Sequence, residues 1–208
     1  MTGQTPAQVL AGLPGIIRAP TDRVELFALP EFLTPRACEA IVALIEAQRR
    51  PSTIADDMGL VNFRTSETCD LDGRGPVVAA VNRAICTYTG LDPAHGEAMQ
   101  GQRYAVGQEF KLHTDYFEPG GADYQIHCAV AGQRTWTVMI YLNVPEAGGE
   151  TWFKHLDIMF QPNLGALVAW NNLDTEGRAN PLTLHAGRPV LAGTKYIITK
   201  WFRERPWT

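Results

Sequence analysis

The chain has 208 residues, of which 45% are hydrophobic and 19% are charged, and its formal net charge is −4. This length and composition predict one globular domain with a buried core and argue against a disordered chain. The acidic balance and the lack of a basic stripe count against a nucleic-acid partner. Apolar runs are far too short to cross a bilayer, so we expect no membrane partner.

The cysteines and the N-terminus indicate a compartment. The four cysteines, Cys38, Cys69, Cys86 and Cys128, have no CxxC spacing and resemble reduced thiols rather than a disulfide framework. The N-terminus lacks the charged start and the apolar core of a signal peptide. We therefore expect a cytoplasmic protein.

The N-terminal part of the chain divides into two regions. Residues 1–23 carry Gly and Pro and are expected to form a loosely attached leader of open role. Residues 24–97 predict a helical support region. Its first helix is capped by Thr34 and begins with Pro35, and its second begins with Pro76 and ends before a glycine. The stretch "LVNFRTSETCDL" between these helices is expected to be extended.

Residues 98–205 have a different character and predict the core of the domain. "RTWTVMIYLNV" is the strongest strand signal, because β-branched and aromatic residues dominate it. Further short strands are predicted at "ETWFKHL", "DIMFQP", "ALVAWNN", "LTLHAGRPV" and "KYIITKWFRER". A helical third followed by many strands predicts a mainly β fold with helices packed on one sheet of a sandwich or jelly roll.

A metal site is suggested by "KLHTDYF". On a strand, His113 and Asp115 project from the same face, so an imidazole and a carboxylate can converge on one ion. A third ligand is needed, and His185 is the best candidate because it precedes a glycine at a strand end. The other histidines have surface, loop or structural interpretations: His95, His127 and His155. Two histidines and one carboxylate leave positions open and suit non-haem Fe(II).

Lys195 is locally unusual, because it leads directly into the apolar strand "KYIITKWF". One interpretation is a solvated strand terminus. The other is a counter-charge for an anionic co-substrate, since a buried ammonium is costly without a partner.

These motifs occur in the order of a known family. "RYAVGQEFKLHTDYF", "GQRTWTVMIYLN", "GGETWF", "QPNLGALVAW" and "LHAGRPVLAGTKYIITKW" follow one another between about residues 99 and 203. Together they resemble the prolyl 4-hydroxylase group of Fe(II)/2-oxoglutarate dioxygenases. The fold implied by the resemblance is a double-stranded β-helix, a jelly-roll core supported by N-terminal helices.

The resemblance also implies roles for individual residues. The catalytic iron ligands would be His113, Asp115 and His185. Lys195 and Tyr104 would bind the far carboxylate of 2-oxoglutarate. Thr137 would line the same pocket, and Trp201 would form a wall of it. The implied cofactors are Fe(II), 2-oxoglutarate and O2, with L-ascorbate (vitamin C) as reductant.

The substrate side is less well defined, because the N-terminal third matches the family only through "RTSETCDL". Arg64, Ser66 and Tyr116 are candidate substrate contacts, although the first two fit a structural role equally well. The stretch 117–133 is long for a hairpin loop and is interpreted either as a lid or as a mobile surface loop.

The resemblance implies hydroxylation of an unactivated C–H bond, with release of succinate and CO2 and with a prolyl residue of a peptide or protein as the favoured substrate. Asp115 favours hydroxylation, because related halogenases lack that carboxylate. A free amino acid or small metabolite is the alternative substrate. A nucleic-acid demethylase of the same iron class and a non-catalytic metal-binding jelly roll are less favoured, and a monomer or homodimer is expected.

Overall fold

The computed structural model describes residues 3–52, 63–121 and 124–207. Its helices are α1 (Pro6–Ala11), α2 (Pro35–Gln48), α3 (Pro76–Thr89) and α4 (Tyr124–Cys128), with 3-10 turns at Pro93–His95 and Pro181–Thr183. Its strands are β1 (Ile17–Arg18), β2 (Leu26–Leu29), β3 (Arg50–Pro51), β4 (Glu67–Asp70), β5 (Gln100–Tyr104), β6 (Phe110–His113), β7 (Arg134–Tyr141), β8 (Ala147–Gly148), β9 (Thr151–Phe153), β10 (Ile158–Phe160), β11 (Leu167–Asn171), β12 (His185–Gly187), β13 (Val190–Ala192) and β14 (Lys195–Arg203).

The strands form two main sheets. The larger has the order β1-β2-β11-β7-β14-β5-β4-β3, and the smaller has the order β10-β9-β12-β6. Strands β8 and β13 pair separately. The prediction of a mainly β fold with a few helices is therefore confirmed.

Strands β7 and β14 at the centre of the larger sheet alternate strictly between its two faces. From β7, Trp136, Val138 and Ile140 face the helices, and Met139 and Tyr141 face the smaller sheet. This is the period of two expected of a strand buried on both sides. The strong strand signal of "RTWTVMIYLNV" has this origin, since both faces of the strand are covered.

Helices α1, α2 and α3 pack on one face of the larger sheet. Their buried side chains form one apolar cluster with that face, and Ile41, Ile45 and Ile85 have no exposed surface. A Cβ at position 101 of β5 would collide with Ile45, so Gly101 allows α2 to approach the sheet closely. The predicted caps are present, because the Thr34 hydroxyl accepts from the Ala37 amide and α3 ends before a glycine with φ of 70°.

The first 23 residues are attached more firmly than their composition predicts. Leu10 of α1 is fully buried in the helix-facing core, and α1 contacts α3. Strand β1 pairs with β2, which itself pairs with β11 of the larger sheet. The segment is thus held onto the domain by Leu10, by the partly buried Ala7, Leu13 and Ile16, and by the pairing of β1 with β2.

The region 24–97 contributes strands as well as helices. Strands β2 and β4 extend the larger sheet on opposite sides of its centre. Of the stretch 60–71, which was expected to be extended, β4 is a strand and residues 60–62 lie outside the described residues. None of the helices in the described ranges has the length and apolar character needed to span a membrane.

Candidate active site

Three side chains of types that can bind a metal meet at strands β6 and β12. His113 ends β6 and His185 begins β12, and the two residues lie directly opposite each other in the antiparallel register. Asp115 follows two residues after His113, and its Oδ1 lies 3.8 Å from His113 Nε2. One ligand atom from each of the three residues lies within 4.8 Å of the others. The two segments predicted to supply the ligands therefore lie side by side.

Backbone carbonyls orient both imidazole rings. His113 Nδ1 lies 2.7 Å from the Lys111 carbonyl oxygen, and His185 Nδ1 lies 2.9 Å from that of Thr183. A carbonyl only accepts, so each Nδ1 carries the proton and each Nε2 keeps its lone pair for a ligand. Burial, together with the neighbouring His185, lowers the pKa of His113 to about 3. His113 is therefore neutral at physiological pH, which is the form that binds a metal.

Asp115 is held as a carboxylate. Burial opposes its charge, but His185, His113 and the Thr137 hydroxyl outweigh this and lower its pKa. The Thr137 hydroxyl donates to Asp115 Oδ2 over 2.7 Å. The backbone carbonyl of Asp115 accepts from Arg134 Nη1 over 3.4 Å. One carboxylate oxygen, Oδ1, is left facing the histidines.

A cavity extends from these three residues toward the start of β14. Aromatic and aliphatic side chains form most of its wall, and a few polar groups point into it. The residues that line it are Gln102, Tyr104, Phe110, His113, Asp115, Met139, Thr151, Trp170, His185, Gly187, Lys195, Ile197, Thr199 and Trp201.

Lys195 supplies a cation at the end of the cavity away from the histidines. The side chain is 1% exposed, so the interpretation as a solvated strand terminus is wrong. Its Nζ lies 5.2 Å and 5.5 Å from the ring centroids of Tyr104 and Tyr141, and no described residue accepts a hydrogen bond from it. Burial, partly offset by Glu150, lowers the pKa of Lys195 to about 7. An ammonium in this setting requires an anionic ligand to stabilise it.

The other residues predicted for the pocket occupy two different places. Tyr104 and Trp201 lie on the cavity wall. The Trp201 indole nitrogen is buried and has no hydrogen-bond partner among the described residues, so it remains available as a donor. Thr137 is not on that wall, which corrects its expected position. Its hydroxyl instead lies behind Asp115, two residues along β7 from the lining residue Met139 and on the same face.

The candidate substrate contacts form a polar group beside the cavity. Arg64 lies over the Phe110 ring, 5.0 Å from its centroid, and its Nε donates to Ser66 Oγ over 3.1 Å. Burial lowers the pKa of Arg64. Ser66 and Tyr116 are both buried, and Ser66 also bonds Ser52 over 2.8 Å. Of the three, Arg64 is the most accessible, since it is only partly buried.

The stretch 117–133 is closed at its base and contains helix α4. Gln133 accepts from the Phe117 amide over 2.8 Å and donates to its carbonyl over 2.7 Å. Within the described part of this stretch, Ile126 and Val130 are exposed. The segment is therefore a loop whose two ends are joined by one side chain.

Several polar residues of the site were not predicted from the sequence. Gln102 lines the cavity, accepts from the Tyr104 hydroxyl over 3.0 Å and donates to Thr199 Oγ1 over 3.3 Å. The sequence could have predicted this position, because Gln102 stands two residues before Tyr104 and therefore lies on the same face of β5. Glu97 binds Arg134 through both carboxylate oxygens, at 2.7 Å and 2.8 Å, and no local pattern distinguished this pairing.

Comparison with known proteins agrees with this geometry. Residues 99–203 match the family model of the 2OG-Fe(II) oxygenase superfamily. The chain is 30% identical to "Probable prolyl 4-hydroxylase 4" of Arabidopsis thaliana over 214 residues, covering 90% of this chain and 70% of that protein. It is also 30% identical to human "Prolyl 4-hydroxylase subunit alpha-1", covering 88% of this chain but only 35% of that protein.

A solved structure is similar over most of the chain. It is the viral collagen prolyl hydroxylase of Paramecium Bursaria Chlorella virus-1 in complex with 2OG, with 28% identity and a TM-score of 0.66. The alignment covers 86% of this chain and 95% of that one. The resemblance to prolyl 4-hydroxylases expected from the motifs is confirmed by these matches.

The donor set fits the cofactors of this family. Two imidazoles and one carboxylate on one side of an ion leave positions for a chelating co-substrate and O2, as non-haem Fe(II) enzymes require. The Lys195 side chain in the same cavity, which has no hydrogen-bond partner among the described residues, matches a co-substrate with a second carboxylate. The chain belongs to the 2OG-Fe(II) oxygenase superfamily and is a 2-oxoglutarate-dependent dioxygenase.

Proposed function

We propose that this dioxygenase hydroxylates a prolyl residue of a peptide or protein. One observation carries the proposal: His113, Asp115 and His185 converge in a cavity that also holds the buried Lys195 side chain, which no described residue pairs with. The printed names of the relatives, which are prolyl 4-hydroxylases, support proline as the target.

In this proposal, His113 and His185 bind Fe(II) through Nε2 and Asp115 binds it through Oδ1. Fe(II) with 2-oxoglutarate supplies the activation of O2 and the hydroxylation of a C–H bond, with succinate and CO2 as co-products. The carbonyls of Lys111 and Thr183 keep both rings in the orientation that binding requires. Because these contacts exist before binding, little reorganisation is needed when the metal arrives.

Lys195 and Tyr104 bind the far carboxylate of 2-oxoglutarate. The two residues pair directly across β14 and β5, so their side chains share one face of the larger sheet. The Lys195 ammonium would gain a directly bonded carboxylate, whereas Glu150 offsets its burial only in part. Tyr104 offers a hydroxyl that bonds Gln102 in the structure and can turn to an incoming carboxylate. Trp201 adds an indole N–H on the same wall.

The fold supports the same proposal. We interpret the two main sheets as the halves of a double-stranded β-helix, with residues 98–205 as its core. Residues 24–97 support the outer face of the larger sheet, and residues 1–23 extend that support. The apolar cluster between α2, α3 and that face is the observation behind this division.

The substrate would enter beside Arg64. This side chain stacks on Phe110, which in turn stacks on His113 with a centroid distance of 3.5 Å. Arg64 and Ser66 could then bond a peptide backbone, and Tyr116 would pack beneath it. The loop 117–133, closed by Gln133, would cover the bound peptide as a lid.

Three expectations complete the proposal. L-ascorbate would act as the reductant that restores Fe(II). The protein would act as a monomer or a homodimer. A cytoplasmic location is supported by the four cysteines, which are all free thiols.

The test is a search for products with purified protein, Fe(II), 2-oxoglutarate, ascorbate and O2. A panel of proline-containing peptides, their alanine-substituted counterparts, free proline and methylated single-stranded DNA would be examined by mass spectrometry. We expect a gain of one oxygen on proline peptides alone, coupled to succinate. Oxygen added to free proline, or methyl loss from the DNA, would contradict the proposed substrate. No succinate with any substrate would contradict the proposed activity.

A further inference from the structure

A chain of buried hydrogen bonds ends on Oδ2 of Asp115, the carboxylate oxygen other than the one nearest His113 Nε2. The Trp170 indole nitrogen lies 3.0 Å from Asn172 Oδ1, and Asn172 Nδ2 lies 2.9 Å from Thr137 Oγ1. Thr137 Oγ1 in turn lies 2.7 Å from Asp115 Oδ2. Trp170, Asn172 and Thr137 are at most 1% exposed, so water does not compete for these contacts.

The direction of every bond in this chain is fixed by Trp170. An indole nitrogen can only donate, so Asn172 must accept through its oxygen and present its NH2 group to Thr137. The Thr137 hydroxyl accepts that bond, and its own proton therefore points to Asp115. The usual ambiguity of amide and hydroxyl orientation is thus removed by the first residue of the chain.

Asn172 is itself held rigidly. Its backbone N–H donates to the backbone carbonyl of Thr135 over 2.7 Å, and its backbone carbonyl accepts from the backbone N–H of Asn180 over 2.9 Å. The Trp170 ring also packs edge-on against His185, with a centroid distance of 4.9 Å. The hydrogen-bond chain therefore starts at an indole packed against His185 and ends on the Asp115 carboxylate. It connects two of the three side chains of the site.

We infer that Asn172 is a positioning residue that acts through Thr137 and gives the two carboxylate oxygens of Asp115 different roles. Oδ2 is committed to the protein, and Oδ1 alone is left for the metal. This inference rests on the proposed function, because it assumes that Asp115 binds Fe(II). Its consequence is a carboxylate that binds through one oxygen, which keeps coordination positions open for co-substrate and O2.

The test compares Thr137→Val, which removes the hydroxyl at nearly constant volume, with Thr137→Ser, which keeps it. Mn(II) affinity would be measured by the electron paramagnetic resonance signal of free Mn(II), without 2-oxoglutarate. We expect Thr137→Val to weaken Mn(II) binding about 10- to 100-fold, as removal of an outer-sphere partner does. Thr137→Ser should bind within about threefold of the wild type, well short of the loss caused by removing the partner.

A second measurement separates positioning from general loss of structure. The absorption spectrum of Co(II)-saturated protein reports how the carboxylate binds. We expect this spectrum to change in Thr137→Val, because both oxygens of Asp115 become free to bind, and to stay that of the wild type in Thr137→Ser. Equal affinity and equal spectra for the valine variant and the wild type would overturn the inference.

Asn172→Ala provides the independent variant should Thr137→Val fail to fold. It leaves the Thr137 hydroxyl free to rotate, so we expect a weaker version of the same two changes, and wild-type behaviour would overturn the role of Asn172. Failure of the proposed function would look different. In that case the wild type and Thr137→Ser would bind Mn(II) normally but form no succinate with Fe(II).

Discussion

Both faces of the strands at the centre of the larger sheet bury apolar side chains, but the cavity side also buries the polar residues of the site. On the helix side, Val138 and Ile140 of β7 and Ile198 of β14 belong to one apolar cluster. On the other side, Thr137 of β7 and Lys195 and Thr199 of β14 are just as well buried but polar. Both faces exclude water, so burial does not distinguish them.

The difference lies in what each face stabilises. The apolar face gains free energy of folding from every buried side chain. On the polar face, Thr137 is satisfied by bonds that orient Asp115, whereas Lys195 has no such partner among the described residues. This contrast predicts that substitutions on the helix side lower the stability of the fold and leave turnover unchanged. Substitutions on the cavity side should lower turnover without lowering stability.

The largest effect is expected from Asp115→Ala. Loss of the only carboxylate among the three ligands should reduce Fe(II)-dependent succinate formation by roughly a thousandfold or more, since the metal supplies the difficult chemistry. The thermal midpoint should not fall, because a buried carboxylate is removed. Turnover by succinate assay and unfolding by calorimetry measure the two quantities. Glu39→Ala, an exposed carboxylate on α2, is the matched control and should leave both unchanged.

The opposite result is expected from Ile140→Ala on the helix side of β7. Removal of a fully buried isoleucine should lower the free energy of unfolding by about 2–5 kcal/mol. Turnover per folded molecule should stay near that of the wild type, because Ile140 does not line the cavity. Urea unfolding measures the loss, with the exposed Ile17→Ala as control. A large drop in turnover with unchanged stability would contradict the division between the faces.

Lys195→Met sharpens the comparison, because stability and function should move in opposite directions. We expect 2-oxoglutarate affinity to fall about 100-fold, as removal of one partner of a buried charge pair costs several kcal/mol. Without ligand, the variant should unfold at a higher temperature, since an unpaired buried cation is removed. The exposed Lys154→Met is the control.

The stability difference between Lys195→Met and the wild type should itself depend on pH. Burial lowers the pKa of Lys195 from 10.5 to about 7, so the unfolded chain binds this proton more tightly than the folded one between those values. Wild-type stability therefore rises with pH across this window, and the advantage of the variant shrinks toward pH 10.5. Unfolding at several pH values in that window measures the trend, and a constant difference would contradict a buried ammonium.

The smallest effect is the pH dependence of co-substrate binding. Because 2-oxoglutarate should bind the charged form of Lys195, its affinity should fall by up to about tenfold per pH unit above pH 7, with uptake of a proton. Calorimetry in buffers of different ionisation enthalpy would detect that proton. Lys195→Arg, which stays charged throughout, should bind without this uptake.

The sequence was most informative where spacing or order carries the signal. His113 and Asp115 stand two residues apart at and just beyond the end of β6, and the ordered motifs pointed to His185 and Lys195 far along the chain. Helices α2 and α3 followed from their proline starts and apolar periodicity. Such patterns can be recognised from the sequence alone, because side chains repeat at fixed periods along strands and helices.

Other features depended on contacts between segments that are distant in sequence. Glu97 reaches Arg134, Gln102 reaches Thr199, and Leu10 reaches the helix-facing core. The position of Thr137 was wrong for the same reason, since the residue it bonds, Asp115, lies on another segment. None of these pairings has a local period that could be recognised.

The amino-acid sequence alone therefore determined the family and the side-chain types that are gathered at the candidate site. Only the tertiary structure decided that Lys195 is buried without a hydrogen-bond partner among the described residues and that Trp170, Asn172 and Thr137 form one hydrogen-bonded chain to Asp115. The physical reason is that periodicity follows from the backbone of one segment. Hydrogen-bond partners and burial follow from how several segments pack, and that information becomes definite only once the sheets are assembled.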